Sequence, residues 1–248
     1  MRIQSAKRIV LLLDFDGTLT EFKKDPEAVR LDSSTRRRLE RLAHLPSVKL
    51  VFISGRRRSD LVRRVGVKEA LYLGLHGFER SQRPRISPAS RRSVVAAHRF
   101  ISRRIRGLAG VQTEDKGASL VLRYRGASAS AAAKARLIGR EALAAPGVRL
   151  NLLHGKRIME LLAPEVDGKG SAAAKIIERA GEGALPVYVG DDRTDETAFR
   201  ALRGAVTVKV GTNQRTHAHY WVRNPDEVKM MLARIEDALK RESPPPAL

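Results

Sequence analysis

Apolar residues cluster along this chain in short runs that stop at polar or glycine positions. Residues 9–13, 48–53, 71–75, 187–189 and 206–210 are rich in leucine and β-branched side chains, and each run is about one strand long. Runs without polar alternation mark strands covered on both faces, as in parallel sheets. Between them lie helical patterns over 33–45, with Ser33 or Ser34 as cap, and over 59–65, 171–180, 194–202 and 226–240. This alternation predicts an α/β fold with a doubly wound, Rossmann-like parallel sheet.

Residues 83–164 break the alternation. They read as helix 92–105, strands 111–113 and 119–124, helix 128–144, and strands 149–153 and 158–162. That is an inserted α/β domain of order αββαββ, expected to be antiparallel because the connections within each strand pair are short. The core then spans 1–82 and 165–248. Hinges are expected at 84–90, which contains Pro84 and Pro88, and at 164–168. The alanine-rich stretch 127–135 favours helix, and the tail 243–248, with three consecutive prolines, is expected to fray.

In a doubly wound sheet a ligand sits beyond the carboxyl ends of the strands. Asp14 follows the first run, Ser54-Gly55-Arg56 the second, His76-Gly77 the third and Gly190-Asp191-Asp192 the fourth. Four polar clusters should therefore meet at one edge. Asp14-Phe15-Asp16-Gly17-Thr18 offers two carboxylates two residues apart. One can attack phosphorus and the other can move protons, while oxygen ligands nearby hold a Mg²⁺. Residues 190–196 carry four carboxylates between a strand and a helix. Glu196, with Thr194 as cap, is explained by a helix N-terminus, but Asp191 and Asp192 stand at the strand end. Asp14, the backbone carbonyl of Asp16, and Asp191 would supply the metal with oxygens. A phosphoryl group in flight also needs donors, which Ser54 and Lys169 provide.

Composition limits the other readings. The chain has 248 residues, 42% hydrophobic and 30% charged, without cysteine, which fits a cytoplasmic protein and removes disulfides and thiolate metal sites. No run is long enough for a signal-peptide core or a membrane span. Forty-eight Lys and Arg against 27 Asp and Glu give +21, which invites a nucleic-acid partner. The arginines are scattered in pairs and triplets on helix-like segments, however, and only 4% of residues are aromatic, too few for a base-stacking platform. A field that steers a small anionic substrate accounts for the charge as well. Gly168-Lys169-Gly170-Ser171 lacks the preceding glycine of a nucleotide-binding loop, and no dinucleotide fingerprint follows the first strand. The six histidines show no metal-ligand helix spacing, and Ser54 has no nucleophile-elbow pattern.

Asp14-Phe15-Asp16-Gly17-Thr18-Leu19, Ser54-Gly55-Arg56, Lys169 and Gly190-Asp191-Asp192 resemble the four motifs of the haloacid dehalogenase superfamily of phosphatases. Within it the chain is similar to the trehalose-6-phosphate phosphatase family. The residues that carry this are the stretch 114–120 (Glu-Asp-Lys-Gly-Ala-Ser-Leu), Tyr124-Arg125, Met159-Glu160-Leu161, and 190–196 with Phe199. The resemblance implies a Mg²⁺-dependent phosphomonoesterase with Asp14 as nucleophile and Asp16 as acid and base. Ser54 and Lys169 hold the phosphoryl group. Asp14, Asp16, Asp191 and Asp192 form the metal site, with Thr18 and Asp195 in support. It also implies a mobile cap whose Glu114, Lys116 and Glu160 grip sugar hydroxyls, and it adds Gly55, Arg56, His76 and Arg125 to the substrate contacts.

Two departures bear on the substrate. Leu161-Leu162-Ala163-Pro164 lacks the arginine usual after Glu160, and Leu75 stands before His76 where another polar residue is common. A phosphatase for a sucrose or glucosylglycerate phosphate therefore stays open as an alternative, and the basic charge leaves a non-catalytic module for nucleic acid as another. The expected partner is a sugar phosphate met by a monomer, with neither membrane nor nucleic acid.

Overall fold

The structure, a computed structural model, describes residues 6–23, 26–80, 86–155, 157–212 and 215–242. It divides into two compact units, Met1–Gln82 with Asp167–Leu248, and Arg83–Val166.

The first unit is built on six parallel strands: β1 (Arg8–Leu13), β2 (Val48–Ile53), β3 (Leu71–Leu73), β8 (Ala184–Gly190), β9 (Val206–Val210) and β10 (Tyr220–Val222), in the order β10-β9-β8-β1-β2-β3. Helices α1 (Ser33–Ala43), α2 (Arg58–Val65) and α7 (Pro225–Glu242) belong to one layer, and α5 (Lys169–Ala180) and α6 (Asp195–Ala201) to the other. The period of two along β1 explains its unbroken apolar run. Ile9, Leu11 and Leu13 pack with Leu39, Leu61 and Leu232, whereas Val10 and Leu12 pack with Ala173, Ile176 and Phe199. Leu11 and Leu12 are fully buried, so truncating either to alanine is expected to cost about 2–5 kcal/mol. From β1 the chain runs outward through β2 and β3, then returns to place β8 on the other side of β1. That reversal opens the crevice in which such sheets bind ligands.

The second unit has α3 (Pro88–Arg104), β4 (Gln112–Asp115), β5 (Ser119–Arg123), α4 (Ala129–Ala144), β6 (Asn151–Gly155) and β7 (Ile158–Leu162). The sheet order is β4-β5-β7-β6, antiparallel throughout. Leu120, Leu122, Met159 and Leu161 pack on one face with Val94 and Ile101 of α3 and Ala135 and Ile138 of α4. Glu114, Val121 and Glu160 pair across neighbouring strands, so they share the opposite face.

Several element ends differ from the sequence expectations for local reasons. Asp32, not Ser33 or Ser34, caps α1, accepting from the Thr35 N–H at 2.9 Å. β3 stops at Leu73 because Leu75 and His76 take positive φ, 48° and 59°. β8 begins at Ala184, and Pro186 is tolerated because the ladder with β9 starts only at Val187. Helix α3 starts at Pro88 with Ser87 as its cap, so Pro88 opens a helix instead of lying in a hinge. Pro84 and the tail 243–248 lie outside the described residues. No helix among the described residues is long and apolar enough to cross a membrane.

Candidate active site

The Asp14 N–H donates to the Val189 carbonyl at 3.0 Å, carrying the β1–β8 ladder one residue past β1. Asp14 therefore stands beside the end of β8, where the 191–195 loop begins. Gly17 closes the turn after β1 with φ +85°, and a Cβ there would overlap Asp191 Oδ2. Glycine is thus required both by the backbone and by the close approach of the two loops.

A buried polar network forms at this point. Lys169, the first residue of α5, donates from Nζ to Asp14 Oδ1 at 2.6 Å and to Asp195 Oδ1 at 2.9 Å. Thr18 donates to Asp14 Oδ2 at 2.9 Å. Asp195 also accepts from the Tyr188 hydroxyl at 2.8 Å, and its Oδ2 accepts the backbone N–H groups of Asp191 (3.2 Å) and Asp192 (3.0 Å). One carboxylate thereby shapes the loop and anchors the lysine. Thr194 occupies the helix N-cap position of α6 but makes no side-chain cap bond, and Glu196 accepts from the Thr216 hydroxyl and the His217 N–H instead.

Oxygen atoms of Asp14, Asp191 and Asp195 lie within 4.8 Å of one another. Burial pushes the Asp14 carboxyl above the usual carboxylate range against the pull of Lys169, and the Asp195 charge adds to the push. Burial also raises Asp191, followed by the charges of Asp14 and Asp195. Burial disfavours the Lys169 ammonium, but Asp14 and Asp195 more than offset that and hold it charged. One cation among three carboxylates leaves negative charge crowded in a dry place, the condition a divalent ion relieves. The donors suit a hard, oxygen-seeking ion. Because Asp195 already accepts from four groups, Asp14 and Asp191 are the pair best placed to hold one. Asp192 turns Oδ1 toward the Arg193 N–H at 2.7 Å.

Ser54 directly follows β2, buried, with its N–H on the Leu73 carbonyl and its Oγ accepting the Arg56 N–H at 3.2 Å. A Cβ on Gly55 would press on the His76 ring, and His76 donates its backbone N–H to the Ser54 carbonyl at 2.9 Å. The Asp16 carboxylate is gripped by Arg56, from Nε at 2.6 Å and Nη2 at 2.7 Å.

The trehalose-phosphatase family profile matches residues 12–226. The chain belongs to the trehalose-phosphatase family. It is 34% identical over 254 residues to the trehalose-phosphate phosphatase of Mycobacterium avium (strain 104), a match covering 93% of this chain and 63% of the relative. The chain thus spans a little under two thirds of that protein's length. Its fold matches the C-terminal domain of C. albicans trehalose-6-phosphate phosphatase with a TM-score of 0.81 at 21% identity, covering 95% of this chain and 94% of that one. It also matches a haloacid dehalogenase-like hydrolase from Bacteroides thetaiotaomicron, with a TM-score of 0.67 at 19% identity, covering 92% and 100%.

In this trehalose-phosphatase family member the second unit holds Glu114 and Glu160 on the sheet face opposite the helices. Glu160 is 2% exposed, accepts from the Ser119 hydroxyl at 2.7 Å, and has Lys116 Nζ at 3.5 Å. Glu114 pairs with Arg123 at 2.5 Å, and Arg125 lies exposed in the turn after β5. Both family departures are buried leucines, Leu75 at 1% and Leu162 at 7% exposure. Sequence reasoning missed Tyr188, hidden inside a strand run, and Lys209 of β9, which donates to the Asp191 carbonyl. Lys209 is a lone cation in an apolar strand near the same carboxyl edge, a signal that was there to be read. It also missed Asp60, which joins Arg56 to Arg64.

Proposed function

We infer that the chain hydrolyses trehalose 6-phosphate to trehalose and inorganic phosphate as a Mg²⁺-dependent phosphomonoesterase. The observation that carries this reading is the cluster of Asp14, Lys169 and Asp191 at the β1–β8 crevice, in a chain of this family. Asp14 attacks phosphorus, the bond to the sugar oxygen breaks, and Asp16 gives that oxygen a proton. Water then attacks the aspartyl-phosphate and yields its proton to Asp16, and the electron pair of the broken P–O bond returns to Asp14. Lys169 and Ser54 donate to the phosphoryl oxygens as charge spreads over them. Asp14, Asp191 and the Asp16 carbonyl would hold Mg²⁺, which supplies positive charge against the phosphoryl group.

Glu114, Lys116, Arg125 and Glu160 are assigned to the sugar, because arrays of hydroxyls call for charged donors and acceptors. A cysteine-free chain fits the reducing cytoplasm that this reading assumes.

The test is phosphate release, with and without Mg²⁺, from trehalose 6-phosphate, sucrose 6-phosphate, glucose 6-phosphate and an aryl phosphate, with Asp14→Asn as blank. Preference for trehalose 6-phosphate, lost in the variant and in chelator, is expected. Release from the aryl phosphate alone would overturn the substrate, and no Asp14-dependent release would overturn the chemistry.

A further inference from the structure

Arg56 stands three residues beyond the end of β2, a position first read as a substrate contact. Its guanidinium meets a different group. Nε and Nη2 form a two-point fork on Asp16 Oδ2 and Oδ1, at 2.6 and 2.7 Å, although the residues are 40 apart in sequence. The third nitrogen, Nη1, donates to Asp60 Oδ2 at 2.9 Å, and the guanidinium carbon lies 5.7 Å from the centre of the Phe15 ring. Asp60 sits in the first turn of α2 and accepts in turn from Arg64 Nε at 2.7 Å. Arg64 is buried and donates to the carbonyl of Val29 at 2.8 Å. The Asp16 carboxylate is therefore tied through Arg56 and Asp60 to the packed body of α2.

We propose that Arg56 is the positioning residue of Asp16, fixing its carboxylate for proton transfer, and that Asp60 anchors Arg56 in that task. This rests on the phosphatase reading above and deepens it. Proton transfer needs the carboxylate within hydrogen-bond reach of two oxygens in succession, the departing one and the attacking water. A carboxylate held at one point can swivel, whereas a bidentate fork fixes both oxygens and its plane. Lysine offers a point charge without that fork, so Arg56→Lys keeps the charge and loses the orientation.

The two half-reactions depend differently on Asp16. With 4-nitrophenyl phosphate, Asp14 attacks phosphorus and the P–O bond breaks with its electron pair on a stable phenolate, which leaves without a proton. The second half still needs Asp16, because the water that attacks phosphorus must give up a proton as the bond to Asp14 breaks. A misplaced Asp16 therefore lets the first half run and stalls the second.

The experiment is rapid-mixing absorbance of nitrophenolate with Arg56→Lys and Asp60→Asn, beside wild type and Asp14→Asn, each checked for its melting transition. The expected result for Arg56→Lys is a burst of about one nitrophenolate per enzyme, then turnover slowed about 10-fold or more, with KM falling in step so that kcat/KM stays within about two-fold of wild type. Asp60→Asn should show a smaller burst in the same sense, and it serves if Arg56→Lys does not fold. A raised KM without a burst would make Arg56 a substrate contact and overturn the proposal. Uniform slowing without a burst would show a merely structural role and overturn it too. If wild type itself releases no nitrophenolate beyond Asp14→Asn, the phosphatase reading fails, which is a separate outcome.

Discussion

Lys169 Nζ bridges Asp14 Oδ1 at 2.6 Å and Asp195 Oδ1 at 2.9 Å, so a single ammonium at the start of α5 joins the end of β1 to the start of α6. All three side chains are at most 5% exposed. Removing the cation leaves two buried carboxylates facing each other, and breaking such pairs costs about 3–5 kcal/mol. Lys169→Met should lose that much stability in denaturant unfolding and at least about 10²-fold in kcat, the scale of one lost transition-state donor. Adding Asp195→Asn removes one stranded charge and should recover part of the stability but none of the activity. A double variant as unstable as the single one would show that charge repulsion is not the cause.

Asp191 presents the opposite case. Its carboxyl is pushed above its usual range by burial and by the charges of Asp14 and Asp195. Without metal, Asp191→Asn relieves that crowding and should melt higher than wild type. With Mg²⁺ the order should reverse, because a ligand at about 100 times its Kd adds about 2.7 kcal/mol to the form that binds it. Melting curves in chelator and in millimolar Mg²⁺ check both halves. If Mg²⁺ stabilises wild type and Asp191→Asn equally, Asp191 does not hold the ion.

The elements that build this site were legible where both faces of a strand are buried. The run at 9–13 is apolar throughout because alternate residues enter two separate cores, and the polar break at Asp14 marks the strand's end at the ligand edge. The same logic hid β10, whose Tyr220 and Trp221 are 56% and 48% exposed, so that its short run is not covered on both faces. The α1 cap was misread by one or two residues because Asp32, Ser33 and Ser34 are all competent acceptors, and only the local backbone selects Asp32. The union of Arg56 with Asp16 spans 40 residues and depends on the crevice itself, so no short-range pattern announces it.

Glu236 fastens α7 to α1. It accepts from Arg41 Nε at 2.5 Å, Arg38 Nε at 3.2 Å and Lys240 Nζ at 2.7 Å. The hydrogen bond from Arg41 leads the effects that bring its carboxyl down to about 2. A carboxyl lowered on folding adds stability above its unfolded value, near 4.5, and that contribution fades as pH falls toward 2. The partners are partly exposed, so the discounted contribution is about 1 kcal/mol. Glu236→Gln should then melt about 2–4 °C lower at pH 7, with the gap closing below pH 4.5. A gap that stays constant down to pH 2.5 would assign the effect to packing.

In the proposed reading, Glu160 serves recognition of the sugar and not the chemistry. It shares a sheet face with Glu114, lies 2.7 Å from the Ser119 hydroxyl and 3.5 Å from Lys116, and belongs to the second unit, whereas Asp14, Lys169 and Asp191 belong to the first. A residue that binds sugar hydroxyls contributes nothing to a substrate without them, so its loss should fall on the disaccharide phosphate alone. Glu160→Ala should reduce kcat/KM for trehalose 6-phosphate by about 10²-fold, the range for a lost charge-assisted hydrogen bond, and leave aryl phosphate hydrolysis within about three-fold of wild type. Because Glu160 is buried beside Lys116, truncation also removes a charged neighbour of that ammonium. Glu160→Gln, which keeps the shape and a hydrogen-bond acceptor, is therefore the companion variant. Equal losses on both substrates in the glutamine form, at an unchanged melting temperature, would remove Glu160 from sugar recognition.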